Sequence, residues 1–187
     1  MLESRRSLLK TGGTLSVASL TLLLGANVSG CAQAQPEAQG QDVQLLNAAI
    51  ALEHEGIAAY TIAAGSGLLQ PAVVQIGVTF RGHHMRHRDE LIRAVQALGG
   101  VPVEARAESD YVTQLNVASL HDQSDVLRLA LGLERGAANA YLGLIPSLGV
   151  DYHQIAARMA GDEAFHAAIL GNALGEPIPA EGLMFGG

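Results

Sequence analysis

Asp162-Glu163-Ala164-Phe165-His166-Ala167-Ala168-Ile169-Leu170 is the stretch that decides the fold. On a helix, Glu163 and His166 at i and i+3 leave the same face, with Leu170 one turn further along it. The stretch His84-Met85-Arg86-His87 repeats that spacing, and Leu91 stands at the same offset. Two single glutamates complete the pattern. Glu53 is followed seven residues later by Tyr60, and Glu134 by Tyr141. Seven residues are nearly two helical turns, so each Tyr shares a face with its Glu.

The segments around these residues have helical period. From Asp42, the apolar positions Val43, Leu46, Ile50, Ile57 and Tyr60 predict a first helix that stops at Gly65-Ser66-Gly67. Pro71 suits the first turn of a second, which runs through Val74, Val78, Met85, Leu91 and Leu98 to Gly99-Gly100-Val101-Pro102. Residues 101 to about 122 lack a period and read as a long crossover. Asp122 or Ser124 can cap a third helix from Val126 to about Ser147, and Asp151 a fourth that ends near Leu174, with Gly175 as its stop. A short loop, a long crossover and a short loop predict an all-α, up-down four-helix bundle over residues 42–175. Residues 176–187 form a tail with no assigned role.

Equal distances from the connecting turns put Glu53, His84, Glu134 and Glu163 at one level of such a bundle. The halves also align weakly at an offset of about 80 residues, Leu46 with Leu127, Ile50 with Leu131 and Tyr60 with Tyr141, which points to an internal duplication.

Composition narrows the function classes. The chain has 187 residues, 49% hydrophobic and only 4% aromatic, with no Trp, which favours one helical core over a β-sandwich. Three of its eleven basic residues, Arg5, Arg6 and Lys10, lie in the first ten positions, so the remainder is strongly acidic. Nucleic acid, which needs a basic stripe, is excluded as a partner. A single cysteine excludes an intrachain disulfide and a Cys-rich zinc site, so any metal is held by His and carboxylate. No Ser, Cys or Lys constellation suggests hydrolysis, and no Gly-rich phosphate loop is present.

At these residues the chain resembles the ferritin-like superfamily, the di-iron carboxylate bundles of ferritin and rubrerythrin. Their metal sites take one Glu from each of two helices and a Glu-x-x-His pair from each of the other two. The resemblance implies six metal ligands: Glu53 and Glu134 as the single glutamates, Glu163 with His166 as one pair, and His84 with His87 as the other. Tyr60 and Tyr141 are either core residues or donors to a ligating Glu. His84 is the departure, standing where the family has a carboxylate. With one carboxylate fewer, two divalent ions leave a net charge of about +1 instead of zero, and Glu163 is the expected protein bridge.

The implied cofactor is two metal ions, iron first, with Mn, Zn or Cu as alternatives favoured by the extra imidazole. The implied activity is di-metal redox chemistry with dioxygen or peroxide, or oxidation of Fe(II). A metal-binding or storage protein without turnover, and a structural or stress-protective bundle with a degenerate site, stand as alternatives. Two features leave room for surface readings: Leu52 and Leu133 blur which face is buried, and His83 with His87 is a rival i, i+4 pair. Assembly into a homo-oligomer is left open.

Residues 1–34 read as a leader. Ser4-Arg5-Arg6-Ser7-Leu8-Leu9-Lys10 resembles a twin-arginine export signal, and the apolar run from Leu15 to Leu24 is too short for a spanning helix of about 20 residues. Val28-Ser29-Gly30-Cys31 resembles a lipoprotein box, which makes Cys31 the lipidated residue, while Ala32-Gln33-Ala34 resembles an ordinary cleavage site. The expected location is the periplasm, free or as a membrane-anchored lipoprotein, with residues 35–41 as a polar tether.

Overall fold

A computed structural model describes residues 34–186 and contains helices and turns, with no strand among the described residues. The leader, including Arg5, Arg6 and Cys31, lies outside the described residues. Four long helices, α1 (Ala34–Gly65), α2 (Pro71–Ala97), α4 (Gln123–Leu144) and α5 (Val150–Ala173), build the bundle. Between α2 and α4 the crossover carries the short helix α3 (Glu108–Gln114) and a 3-10 turn at Val117–Ser119. This is the four-helix bundle with one long crossover that the spacing predicts.

Local chemistry sets the helix ends. α2 starts at Pro71, whose missing N–H falls where no helical acceptor exists. It stops at Gly99, which takes φ +74° while Gly100 N–H bonds back to Val95 O at 2.9 Å. α5 stops in the same way at Gly175, with φ +71° and Glu176 N–H on Gly171 O at 2.9 Å. A left-handed residue closing such a 6→1 bond is the Schellman stop, and it favours glycine. Asp122 caps α4, its carboxylate accepting from Asp125 N–H at 2.9 Å.

Two expectations are corrected, and the tail gains contacts. The tether over 35–41 is helical and extends α1 by two turns; Pro36 sits in the first turn, where it costs no hydrogen bond, and Ala and Gln are good helix formers. Its exposed Glu37, Gln39, Gly40 and Gln41 still keep it outside the core. Asp151 does not cap α5, because the helix begins one residue earlier with Gly149 as N-cap. The buried Asp42 of α1 fixes this end from outside, taking the N–H of the N-cap residue Gly149 at 2.8 Å. The tail, finally, runs back over α4: Arg135 pairs with Glu176 at 2.6 Å, Gly186 N–H meets Asn139 Oδ1 at 2.8 Å, and Phe185 packs on the core.

α1 packs along α2 and α4 along α5, so the core forms between two hairpins. It is layered. One apolar cluster joins Leu46 and Ile50 of α1 to Leu91 and Val95 of α2, Leu144 of α4 and Met159 of α5. A second, at the other end, joins Tyr60, Phe80, Leu127, Leu131, Ala167 and Leu170. Between the two layers lie the six polar residues singled out above.

Candidate metal centre

Glu53, His84, His87, Glu134, Glu163 and His166 are all buried, with 0–7% of their surface exposed. The ambiguity over Leu52 and Leu133 is thereby resolved in favour of the glutamate face. Helical period does this work: each of the six lies at 3-, 4- or 7-residue spacing from apolar core positions, so the face that buries Ile50, Leu91, Leu131 and Leu170 buries them too.

Inside the layer the donors fall into two quartets, Glu53–His84–His87–Glu163 and His84–Glu134–Glu163–His166, and within each one the ligand atoms lie within 4.8 Å of one another. Glu163 and His84 belong to both. Glu163 turns one oxygen to His87 Nδ1 at 3.0 Å and the other to His166 Nδ1 at 3.1 Å. The His84 ring is also two-sided, with Nδ1 2.8 Å from Glu53 Oε2 and Nε2 3.3 Å from Glu134 Oε1. Two residues therefore span the quartets, where the sequence suggests Glu163 alone.

The outer atoms of the cluster are also held. Tyr60 O–H donates to Glu134 Oε1 and Tyr141 O–H to Glu53 Oε1. Each tyrosine thus serves the glutamate of the opposite hairpin, and the two bonds are reciprocal between the hairpins. His87 keeps Nδ1 inward and sets Nε2 against Asp162 Oδ2 at 3.1 Å, while His166 sets its outer Nε2 against His83 Nδ1 at 2.9 Å. Outer partners of this kind fix the tautomer and orientation of an imidazole that presents its other nitrogen to a cation. Asp162 has no place in the sequence reading. His83 enters there only as a rival ligand, and the fold puts it behind His166, outside both quartets. Each immediately precedes a cluster residue, and the roughly 100° turn per residue swings it to the cluster's edge.

Burial pushes each charge towards neutrality, and the partners reverse that for most of the cluster. Glu53 is penalised by burial, yet bonds with His84 and His87 bring its carboxyl below the ordinary value; Glu134 is lowered against the same penalty by His166 and His84. His84, His87 and His166 also pay for burial, and their carboxylate partners raise all three, His87 to about 10. Glu163, where burial wins, is raised. Burial and the charge of the adjacent glutamate push both tyrosines up, so they remain donors. No buried side-chain nitrogen or oxygen among the described residues lacks a partner. A metal-free cluster is thus an internally paired acid–imidazolium network.

Two openings reach the layer. A cleft of about 520 Å³ between α2 and α5 exposes an edge of His87 beside Asp162 and Arg86. A narrower gap of about 50 Å³ between α1 and α4 reaches Glu53, His84 and Glu134 past Gly56, where a Cβ would stand 3.0 Å from His84 Nδ1. Among the described residues no helix is long and apolar enough to cross a membrane.

A family model described as a ferritin-like domain matches residues 41–176. Among solved structures, the crystal structure of a conserved hypothetical protein from Mycobacterium tuberculosis is similar, with 27% sequence identity and a TM-score of 0.64 over 76% of this chain and 96% of that one. The comparison with curated proteins returned no match.

Proposed function

Since the chain belongs to the ferritin-like domain family, we propose that its buried cluster holds two metal ions, iron first, in an exported protein that handles dioxygen or peroxide or oxidises Fe(II). The observation that carries this reading is the pair of buried donor quartets sharing Glu163 and His84. The donor set fits divalent cations: three carboxylates and three imidazoles, with Glu163 able to serve both positions and a neutral His84 only one at a time, are a mixture suited to Fe, Mn or Zn. The outer hydrogen bonds to Asp162, His83, Tyr60 and Tyr141 match what metal-ligating His and Glu need.

Bound there, a redox-active metal pair supplies electron transfer to and from small oxidants. The chain's own residues do the rest. Glu163 and His84 hold the two halves of the site at a fixed spacing, and the tyrosines anchor the far oxygens of Glu53 and Glu134. Both apolar layers exclude bulk water. The cleft at His87 and the gap at Gly56 give a small polar oxidant or an incoming cation a route to the donors. Export by a twin-arginine route and lipidation at Cys31 belong to the same proposal, supported by the leader motifs.

A second reading has an observation of its own. The cluster satisfies itself with no metal, so a structural bundle is physically self-consistent. Anaerobic loading with Fe(II), followed by addition of dioxygen or peroxide, separates these readings. Stoichiometric oxidation with turnover supports redox chemistry, binding without oxidation supports storage, and no binding supports the structural bundle.

A further inference from the structure

Next to the metal centre, at the bundle end where α1 turns into α2, lies a cavity of about 80 Å³. All four long helices and the crossover line it, with Ala63 on α1, Val73 on α2, Leu120 on the crossover, Leu127 and Ala130 on α4 and Ile169 on α5. It is an apolar pocket walled by five segments and open on the side of the exposed Ser66 and Ile76. Small residues leave it open: larger side chains at Ala63 and Ala130 would reach into it. Its lining contains only two polar side chains, Tyr60 and Ser66, and both are engaged. Tyr60 O–H donates to Glu134, while Ser66 Oγ donates to Ala63 O at 2.7 Å and accepts from Leu68 N–H at 3.2 Å. An ordered water needs two to four polar partners, and the inner part of this pocket, against Tyr60 and Phe80, offers it none.

Its wall towards the polar layer is one ring thick. Tyr60 and Phe80 line the cavity, and on their other side the Phe80 ring stacks on His166 with centroids 4.0 Å apart, while Tyr60 stacks on His84 at 5.6 Å. From this geometry we infer that the cavity is a binding site for a small apolar molecule, with dioxygen as its occupant, held one side chain away from the metal centre. The choice of dioxygen rests on the redox reading above; the apolar site does not. Size supports it, since an engineered apolar cavity of about 150 Å³ takes benzene or xenon, and about half that volume suits a diatomic molecule. Dioxygen gains by leaving water for an apolar space, whereas peroxide, a hydrogen-bonding molecule, does not. The two oxidants therefore approach by different routes: dioxygen through this cavity, peroxide through the polar openings at His87 and Gly56.

Xenon is the probe. Crystals of the metal-free protein pressurised with xenon are expected to show one xenon among Tyr60, Phe80, Leu127 and Ala130. The site is expected to vanish in Ala130→Leu and in Ala63→Leu, which fill the cavity from α4 and from α1. In the iron-loaded protein both variants slow oxidation by dioxygen and leave oxidation by peroxide unchanged. No xenon in the parent, or ordered water in the cavity, overturns the site; equal slowing with both oxidants overturns the dioxygen route. Because xenon uptake needs no metal, its failure in a protein that binds iron removes this inference and leaves the redox reading intact. Xenon uptake with no iron binding removes the redox reading and the dioxygen assignment, and leaves an apolar site.

Discussion

The phenol of Tyr141 on α4 donates to Oε1 of Glu53 on α1, 88 positions away in the chain, and both groups are almost wholly buried. With the reciprocal bond from Tyr60 to Glu134, it ties each hairpin's glutamate to the other hairpin. Removing one hydroxyl leaves a buried carboxylate oxygen short of a donor, which costs about 1–3 kcal/mol. Tyr141→Phe is expected to lower the urea midpoint of the metal-free protein accordingly. It should weaken metal binding by roughly 10- to 100-fold without unfolding the bundle, as loss of a partner behind a metal ligand does. Denaturation and metal titration of Tyr141→Phe and Tyr60→Phe check both effects.

Gly56 sits where α1 passes over His84. A Cβ there would stand 3.0 Å from Nδ1 and 3.1 Å from Cε1 of a ring already fixed between Glu53 and Glu134. Helix propensity favours Gly56→Ala by about 1 kcal/mol, yet the ring has to move by a few tenths of an ångström. The variant is predicted to stay helical by circular dichroism while binding metal more weakly, because His84 belongs to both quartets. Unchanged metal affinity would show that His84 is not held at this spacing for metal.

Much of this was legible in the sequence, for identifiable reasons. Glu163 with His166 and His84 with His87 could be read because i, i+3 spacing places donors on one face whatever the helices do next. The shared level of Glu53, His84, Glu134 and Glu163 could be read from loop lengths alone. The partner of each tyrosine could not: spacing puts Tyr60 on the face of Glu53, but only the packing of α1 against α4 sends its hydroxyl to Glu134. Asp162 was hidden, and the place of His83 behind His166 misjudged, because each lies one residue off the favoured face. The Asp42–Gly149 bond and the return of Phe185 to the core join segments far apart in sequence, and no local pattern announces them. The apolar cavity was invisible for the same reason, since it is a space left between five segments.

The Asp42 contact predicts a stability effect without a functional one. Loss of this distant acceptor in Asp42→Ala is expected to cost about 1.5–3 kcal/mol, the range for a hydrogen bond to a charged group, and to leave metal stoichiometry unchanged. Thermal unfolding beside elemental analysis tests the separation.

The metal-free protein has a defined pH dependence. His84, His87 and His166 have folded values above their ordinary 6.5, so their contribution is complete below about pH 6.5 and is lost as pH rises through the folded values, about 10 for His87. Glu53 and Glu134 lie below their ordinary 4.5, so their contribution is complete above about pH 4.5 and is lost as pH falls. Glu163, raised, adds to the loss above pH 4.5. Stability should therefore peak between about pH 4.5 and 6.5 and fall on the alkaline side. Metal reverses that trend, because ions displace the imidazolium protons and bind more tightly as pH rises. Urea midpoints across this range, with and without metal, give the two opposite slopes.

The most direct test of the central claim is the metal content of the purified protein by elemental analysis, beside a Glu163→Ala variant whose helicity is shown to match the parent. The account predicts about two metal ions per chain in the parent, as the donor pattern of the family implies, and a sharp loss in the variant. No metal in a parent offered iron, or equal metal in parent and variant, would contradict it and leave the buried cluster as a self-paired structural network.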